Sequence, residues 1–184
     1  INKMDRENAD FFRTMAEIES TLAGNLAAIQ VPIGQAESFR GIVDLLAMQA
    51  YEWPDGEPTP VPMPDEVAGL AQEYRERLVE AVVETDDDLM MKYLEDADIG
   101  QDELRRAFQS AVRRNELTPV LLTSATKVMG VSLLLDFMLE GVRQVEDHMP
   151  LRVDRGESPK LGPDAPFTAR VFKTVIDPYL GKVS

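Results

Sequence analysis

The sequence predicts an α/β protein in which short apolar strands alternate with amphipathic helices. Two observations support this fold class. Apolar residues recur at helical spacing in several segments, as at Phe11, Met15 and Ile18. Between such segments lie strand-length apolar runs, for example 26–33 and 118–123. With 44% hydrophobic residues, the chain of 184 residues can bury a substantial core.

The predicted helices are bounded by recognisable start and stop signals. Gly24 follows the first helix, Asp65 after Pro64 is a plausible N-cap, and Gly100 precedes a later helix. In chain order the predicted helices cover 8–22, 65–84, 101–115 and 130–145, and a shorter helix begins after Thr85 or Asp86.

The predicted strands lie mainly before residue 65. They cover 26–33, 38–46, 47–53 and 118–123, and a β-hairpin turns at Asp177-Pro178. Five prolines between 54 and 64 exclude a helix there, so this stretch is predicted to be an extended loop or an edge strand. The proline-rich stretch 147–166 has no periodicity and is predicted to be a linker.

Composition narrows the classes of function. The absence of cysteine excludes disulfides and thiolate metal sites, and a single histidine, His148, argues against a histidine-cluster metal site. No apolar run is long enough to span a membrane. A net charge of −14 argues against a free-standing nucleic-acid binder, because phosphate contacts need a basic surface. Since the chain begins without Met and ends inside a predicted strand, we expect it to be a segment of a longer protein.

The negative charge is concentrated in the middle of the chain. Residues 51–116 contain 18 acidic and 7 basic residues. One interpretation is that these carboxylates lie on solvated helix faces. The alternative is that the helices 65–84 and 101–115 form an acidic surface that attracts a basic partner. The candidate carboxylates are Glu73, Glu76, Glu80 and Glu84.

A four-residue pattern of the form NKxD precedes the first helix. In it, the Asp5 carboxylate could accept two parallel hydrogen bonds from N1–H and the 2-amino group of guanine, a pair of donors that adenine lacks. Asn2 could bond N7, and the stem of Lys3 could lie over the base and ribose. The alternative interpretation is a solvated helix N-terminus with Asp5 in its first turn.

A second loop, Ser124-Ala125-Thr126, follows the apolar run 118–123. The Ala125 N–H could reach guanine O6, and the Ser124 hydroxyl could support Asp5. An ordinary strand-to-helix loop is the alternative. Because ligands of open α/β sheets bind beyond the carboxyl ends of strands, the two loops together favour a ligand site. Both loops resemble those with which GTPases bind guanine, so guanine is the ligand that this resemblance implies.

Segments along almost the whole chain resemble elongation factor G and its paralogues among the translational GTPases. The matching segments are NKMDRENADF (2–11), QVPIGQAESFRGIVDLLAMQAY (30–51), ERLVEAVVETDDDLMMKYLE (76–95), ELTPVLLTSATKVMGVSLLLDFM (116–138) and FTARVFKTVIDPYLGKVS (167–184). The resemblance implies the C-terminal part of a P-loop GTPase-type sheet with an α+β inserted subdomain, called G-prime, followed by the first strands of a β-barrel domain.

The resemblance also implies a division of the chain. Residues 1–27 would belong to the G domain, 28–115 to G-prime, 116–147 to the end of the G domain, 148–166 to a linker and 167–184 to domain II. The guanine-binding residues would be Asn2, Lys3, Asp5, Ser124, Ala125 and Thr126. At Thr126 the chain departs from the family, in which many members carry an apolar residue.

The function that the resemblance implies is GTP or GDP binding and translocation on the ribosome, in the cytoplasm. G-prime would dock the C-terminal domain of the ribosomal stalk protein. Neither GxxxxGK[ST] nor DxxG occurs in the chain, so Mg²⁺, the phosphates and catalysis would depend on residues outside it, and the chain alone is not expected to hydrolyse GTP. The alternatives are a ribosomal protection or release-type factor, or a non-catalytic interaction module.

Overall fold

The computed structural model describes residues 1–22, 24–141, 164, 173–177 and 181–183. The chain forms two units, Ile1–Val142 and Arg143–Ser184. In chain order the described elements are α1 (Phe11–Thr21), β1 (Leu26–Ala28), β2 (Gln30–Ile33), β3 (Gly41–Asp44), β4 (Gln49–Glu52), β5 (Thr59–Val61), α2 (Asp65–Val83), α3 (Asp87–Leu94), α4 (Gln101–Arg113), β6 (Thr118–Val120), α5 (Val131–Gly141), β7 (Val175–Asp177) and β8 (Gly181–Val183).

The first sheet is parallel and is built from distant parts of the chain. Strand β1 pairs in parallel with β6, with Ala27 opposite Pro119. After β6, the edge of the chain that is opposite β1 pairs with the N-terminal segment. The Thr123 N–H donates to the carbonyl of Ile1 at 2.8 Å. The stretch 118–123 therefore lies between the N-terminal segment and β1, and its carboxyl end carries the second of the two predicted loops.

The second sheet is an antiparallel meander in the order β2-β3-β4-β5. β-branched residues in β2 and β3 favour the strand conformation, and Val31 of β2 lies opposite Val43 of β3. Strand β5 lies at the edge of the sheet, where Pro60 removes a donor at little cost. The prediction of an extended loop or edge strand between residues 54 and 64 is confirmed.

The apolar run 26–33 forms two strands, and the prediction of a single strand was wrong. The N–H of Ile29 still donates to the carbonyl of Val120 in the parallel sheet, at 3.1 Å. From Gln30 onward the chain pairs with β3 instead. The physical reason is that the chain leaves one sheet and enters another without a turn residue to mark the change.

Helix α2 packs its apolar face onto both sheets. Helix α2 contacts β1, β2, α3 and α4, and α4 contacts α5. Fully buried side chains of the helices include Phe11, Leu78 and Phe108. Pro64 caps α2 with an extended backbone, so Asp65 is the first helical residue and not the N-cap. Asp86 caps α3 as expected, because its side chain accepts from the N–H groups of the first turn.

The second unit contains an antiparallel hairpin, in which β7 pairs with β8 and Asp177 lies opposite Gly181. This confirms the predicted hairpin. His148, residues 142–145 of the predicted last helix and residues 167–172 of the strand expected from Phe167 lie outside the described residues, as does the predicted linker except for residue 164. Of the helices in the described ranges, none is long and apolar enough to cross a membrane.

Candidate functional site

The two predicted loops meet at the carboxyl end of the stretch 118–123. The N–H of Met4 donates to the carbonyl of Thr123 at 3.2 Å, which continues the parallel pairing into the NKxD segment. Met4 itself is buried and anchors that segment in the core. Asp5, which follows Met4, is partly exposed. Lys3 is exposed and has a left-handed backbone, with φ of 68°.

Asn2 joins the two loops through one oxygen. Its Oδ1 accepts from the N–H of Lys3 at 2.7 Å, from the Thr123 hydroxyl at 3.2 Å and from the N–H of Ala125 at 3.1 Å. Because all three of these bonds use the oxygen, the Nδ2 group keeps its donor capacity for other acceptors. Asn2 therefore ties the loops together while retaining a polar group at the surface.

A hydroxyl group lies beside each carboxylate oxygen of Asp5, one close and one at the limit of hydrogen bonding. The Ser124 Oγ donates to Oδ1 at 2.6 Å, and the Thr126 Oγ1 lies 3.5 Å from Oδ2. The short bond confirms the predicted support of Asp5 by Ser124. This hydrogen bond lowers the pKa of the Asp5 carboxyl from its ordinary value, helped by the positive charge of Lys127, against a smaller opposing effect of desolvation.

The second loop is closed on itself by backbone hydrogen bonds. Ser124 and Met129 form a two-way bridge, with N–H to O distances of 2.9 and 3.1 Å. Ser124 is completely buried, whereas Ala125 and Thr126 are exposed. The loop thus rests on a buried base and presents its tip to solvent, beside Asp5.

Thr123 and Gln30 take part in this arrangement without having been predicted. The Gln30 side chain is buried, and its Oε1 accepts from the N–H of Leu122 at 2.8 Å, on the edge of the strand that faces β1. A polar residue in an otherwise apolar run, LAAIQVPI, is the signal that could have identified Gln30. Thr123 carries no comparable signal, since Thr is common in strands.

The four predicted carboxylates of α2 lie on one exposed face. Glu73 pairs with Arg77 at 2.6 Å, Glu76 accepts from Gln72, and Glu80 accepts from the Tyr93 hydroxyl at 3.3 Å; Glu84 follows at the end of the helix. Negative charge from Glu80 raises the pKa of Tyr93. This face of α2, formed by Glu73, Glu76, Glu80 and Glu84, is called the acidic face below.

Helix α4 does not extend the acidic face, and that expectation was wrong. Its exposed residues are largely arginines, and Arg105 pairs with Glu140 of α5 at 3.1 Å. Arg114 pairs with Glu116, two residues away. Arg113 also reaches α5, since its guanidinium donates to the carbonyl of Glu140 at 2.9 Å.

Metal binding has no support among the described residues. No group of three or more His, Asp or Glu side chains in that part of the chain is placed to hold a metal ion.

Comparisons with known proteins identify the family. No protein-family model matches the chain. Elongation factor G of Aquifex pyrophilus is 39% identical over 193 aligned residues, which cover all of this chain and 28% of that protein. A crystal structure of a Thermus thermophilus protein matches with a TM-score of 0.72 and 31% identity, over 98% of this chain and 25% of the other.

Both matches have the same extent. The chain spans only about a quarter of each relative, and each relative accounts for nearly all of the chain. The likeness therefore includes both loops of the candidate site and both units of the fold. The chain is homologous, along its whole length, to a segment of elongation factor G, and it belongs to that family.

Proposed function

We propose that this chain carries the guanine-reading part of a translational GTPase that resembles elongation factor G. The observation that supports the proposal is the Asp5 carboxylate, which both loops hold at the carboxyl end of a parallel strand. This is the position at which ligands bind in open α/β sheets. Homology to elongation factor G supports the class of translational GTPases.

The chemistry of Asp5 suits guanine and not adenine. A carboxylate oxygen has two lone-pair sites, so Oδ1 can accept from Ser124 and still accept from N1–H of the base. Oδ2 would accept from the 2-amino group. Adenine has no 2-amino group, and its N1 is an acceptor that would face the carboxylate, so the mismatch leaves a charged group unpaired.

Binding of guanine O6 requires a donor that is engaged in this structure. The N–H of Ala125 donates to Oδ1 of Asn2 at 3.1 Å. A bound base would compete with Asn2 for this N–H, or share it in a three-centre bond. Oδ1 of Asn2 would still accept from the N–H of Lys3 and from the Thr123 hydroxyl, so Asn2 would keep its contact with the second loop's strand. The Nδ2 group of Asn2 would then donate to N7, and the stem of Lys3 would lie over the base.

The test exchanges the base that the site accepts. In the full-length protein, competition with a fluorescent guanine nucleotide measures the affinities for GDP, ADP and XDP. Asp5→Asn replaces one carboxylate oxygen by an amide donor, which matches the 2-carbonyl of xanthine. We expect this variant to lose its preference for GDP and to gain one for XDP. Glu7→Gln is the matched control, because it removes one negative charge at an exposed position nearby. We expect it to keep the preference for GDP.

Two outcomes contradict the proposal. One is a wild-type protein that binds GDP and ADP equally. The other is an Asp5→Asn variant whose preference among the three nucleotides is unchanged, because Asp5 would then not contact the base.

The proposal for the whole protein extends beyond this segment. It would bind the ribosome, hydrolyse GTP and drive translocation, with Mg²⁺ and the phosphates held by residues outside this chain. The described residues supply recognition of the base, and none of them is assigned a catalytic role. We also propose that residues 28–115 form an insert, because β1 ends at Ala28 and pairs directly with β6, which begins at Thr118.

A second candidate function is docking of a basic partner on the acidic face. Its support is the row of exposed carboxylates on α2, in the block that holds most of the chain's negative charge. The partner that the family resemblance suggests is the C-terminal domain of the ribosomal stalk protein. Charge attraction of this kind accelerates encounter and weakens as salt rises.

Titration with that stalk domain tests the second candidate. We expect binding at low salt that weakens at high salt, and that weakens further when Glu76 and Glu80 are both changed to Gln. The control is Asp55→Gln with Glu57→Gln, an equal loss of exposed charge in the turn before β5. Absence of binding at low salt, or equal effects of the two double variants, contradicts docking on the acidic face.

A further inference from the structure

We infer that Thr126 is a positioning residue for Asp5 and sets the preference for a base that carries a 2-amino group. The inference rests on the proposed guanine site and assigns within it a role to one more side chain. Its basis is the placement of the Thr126 hydroxyl, 3.5 Å from Oδ2 of Asp5, on the opposite oxygen from the one that Ser124 holds.

A single hydroxyl does not fix the plane of a carboxylate. The torsion that turns the carboxylate of Asp5 has broad minima, so a bond to Oδ1 alone lets Oδ2 swing. The bond from Ser124 is short, at 2.6 Å, and acts as a pivot. The Thr126 hydroxyl stands beside the oxygen that moves about this pivot. At 3.5 Å this is a long, weak hydrogen bond, which favours the orientation in which Oδ2 faces Thr126 and leaves room on Oδ2 for a second donor.

Hydrogen bonds fix the backbone of the loop that carries Thr126. The bridge between Ser124 and Met129 closes the loop, and the N–H groups of Lys127 and Val128 donate to the carbonyls of Ser124 and Ala125. The backbone on both sides of Thr126 is therefore fixed by hydrogen bonds.

The two carboxylate oxygens would have separate tasks in reading the base. Oδ1, supported by Ser124, would accept from N1–H, a donor that guanine and hypoxanthine share. Oδ2, limited by Thr126, would accept from the 2-amino group, which guanine carries and hypoxanthine lacks. Loss of the Thr126 hydroxyl should therefore weaken GDP binding while leaving IDP binding unchanged.

The experiment compares Thr126→Val with Thr126→Ser in the full-length protein. Val has nearly the shape of Thr and lacks the hydroxyl, whereas Ser keeps the hydroxyl. Competition binding measures the affinities for GDP, IDP and ADP, and circular dichroism checks that each variant is folded. We expect Thr126→Val to lower the ratio of GDP to IDP affinity roughly two- to threefold, the effect of one weak hydrogen bond. Thr126→Ser should retain the wild-type ratio.

Each other result has a definite meaning. If Thr126→Val weakens GDP and IDP equally, Thr126 has only a structural role and the inference is wrong. If the ratio does not change, or if Ser fails to retain it, the hydroxyl does not position Oδ2. If the wild-type protein prefers GDP to ADP and the variants give either of these results, this inference alone is wrong. A wild-type protein without that preference overturns the proposed function itself.

Discussion

The Ser124 hydroxyl donates a 2.6 Å hydrogen bond to Oδ1 of Asp5, although the two residues are 119 positions apart in the chain. Ser124 is completely buried, whereas Asp5 lies at the surface. The bond therefore connects a surface carboxylate to a fixed point at the end of the parallel sheet. It is one of several contacts between the loops, since Asn2 makes others, but it is the shortest of those that reach Asp5.

Ser124→Ala should raise the pKa of Asp5 toward its ordinary value. The hydrogen bond from Ser124 is the largest cause of the lowered pKa, because it stabilises the charged form. Titration of the Asp5 carboxyl carbon by NMR measures this shift directly. Ser20→Ala, which removes an exposed hydroxyl in α1, is the control and should leave the titration of Asp5 unchanged.

The same variant has a predictable dependence of stability on pH. The pKa of Asp5 is lower in the folded than in the unfolded protein, so its contribution to stability is present above the unfolded pKa and is lost as pH falls through the folded pKa. The difference in stability between wild type and Ser124→Ala should therefore shrink in acid. An Asp5 titration that is the same in both proteins would show that another group lowers its pKa.

The sequence predicts the ends of the helices better than the path of the strands. Helix signals are local, as when Asp86 accepts from the N–H groups that follow it. The division of the run 26–33 is not local, because Ile29 bonds to Val120 and Gln30 begins a different pairing. No turn residue lies between them, so only the tertiary partners decide where one strand ends.

The same distinction applies to the candidate site. Residue types in the two loops predict a contact between Asp5 and Ser124, because both fit one purine edge. They do not predict the bond from the backbone of Leu122 to Gln30, which depends on the point at which the chain leaves the parallel sheet. The arginines of α4 show the same limit, since Arg105 pairs with a residue 35 positions away.

Gln30→Leu should destabilise the protein by about 1–3 kcal/mol, the cost of leaving a buried donor unsatisfied. The Gln30 side chain is buried, and its Oε1 accepts from the N–H of Leu122 at 2.8 Å. Leu has a similar size but cannot accept this bond. Urea unfolding measures the free energy of unfolding. The control, Gln72→Leu on the exposed side of α2, should change it by less than about 0.5 kcal/mol, and equal losses in both variants would contradict the assignment.

Gly130→Ala and Gly69→Ala should change stability in opposite directions. Gly130 has φ of 74°, and an added Cβ would overlap the carbonyl oxygen of Leu122. We expect this variant to lose about 2 kcal/mol or more. Gly69 lies inside α2 with open space around the position of a Cβ, so Ala should add about 0.5–1 kcal/mol by its helix propensity. Thermal unfolding of the two variants gives the signs, and a stabilised Gly130→Ala protein would refute the constraint at this turn.

Val128→Asn should stabilise the second loop, because Val128 is a β-branched residue with φ of 58°. Such a residue is strained in the left-handed region, whereas Asn is several-fold enriched there. The side chain of Val128 is 55% exposed, so its replacement sacrifices little apolar burial. We expect the free energy of unfolding to rise by about 0.5–1 kcal/mol in urea titrations. Val128→Ile keeps the branched Cβ and is the matched control, for which no gain is expected. If both variants leave stability unchanged, the backbone of the loop is not strained at this position; if only Asn stabilises it, the left-handed conformation of Val128 is the cause.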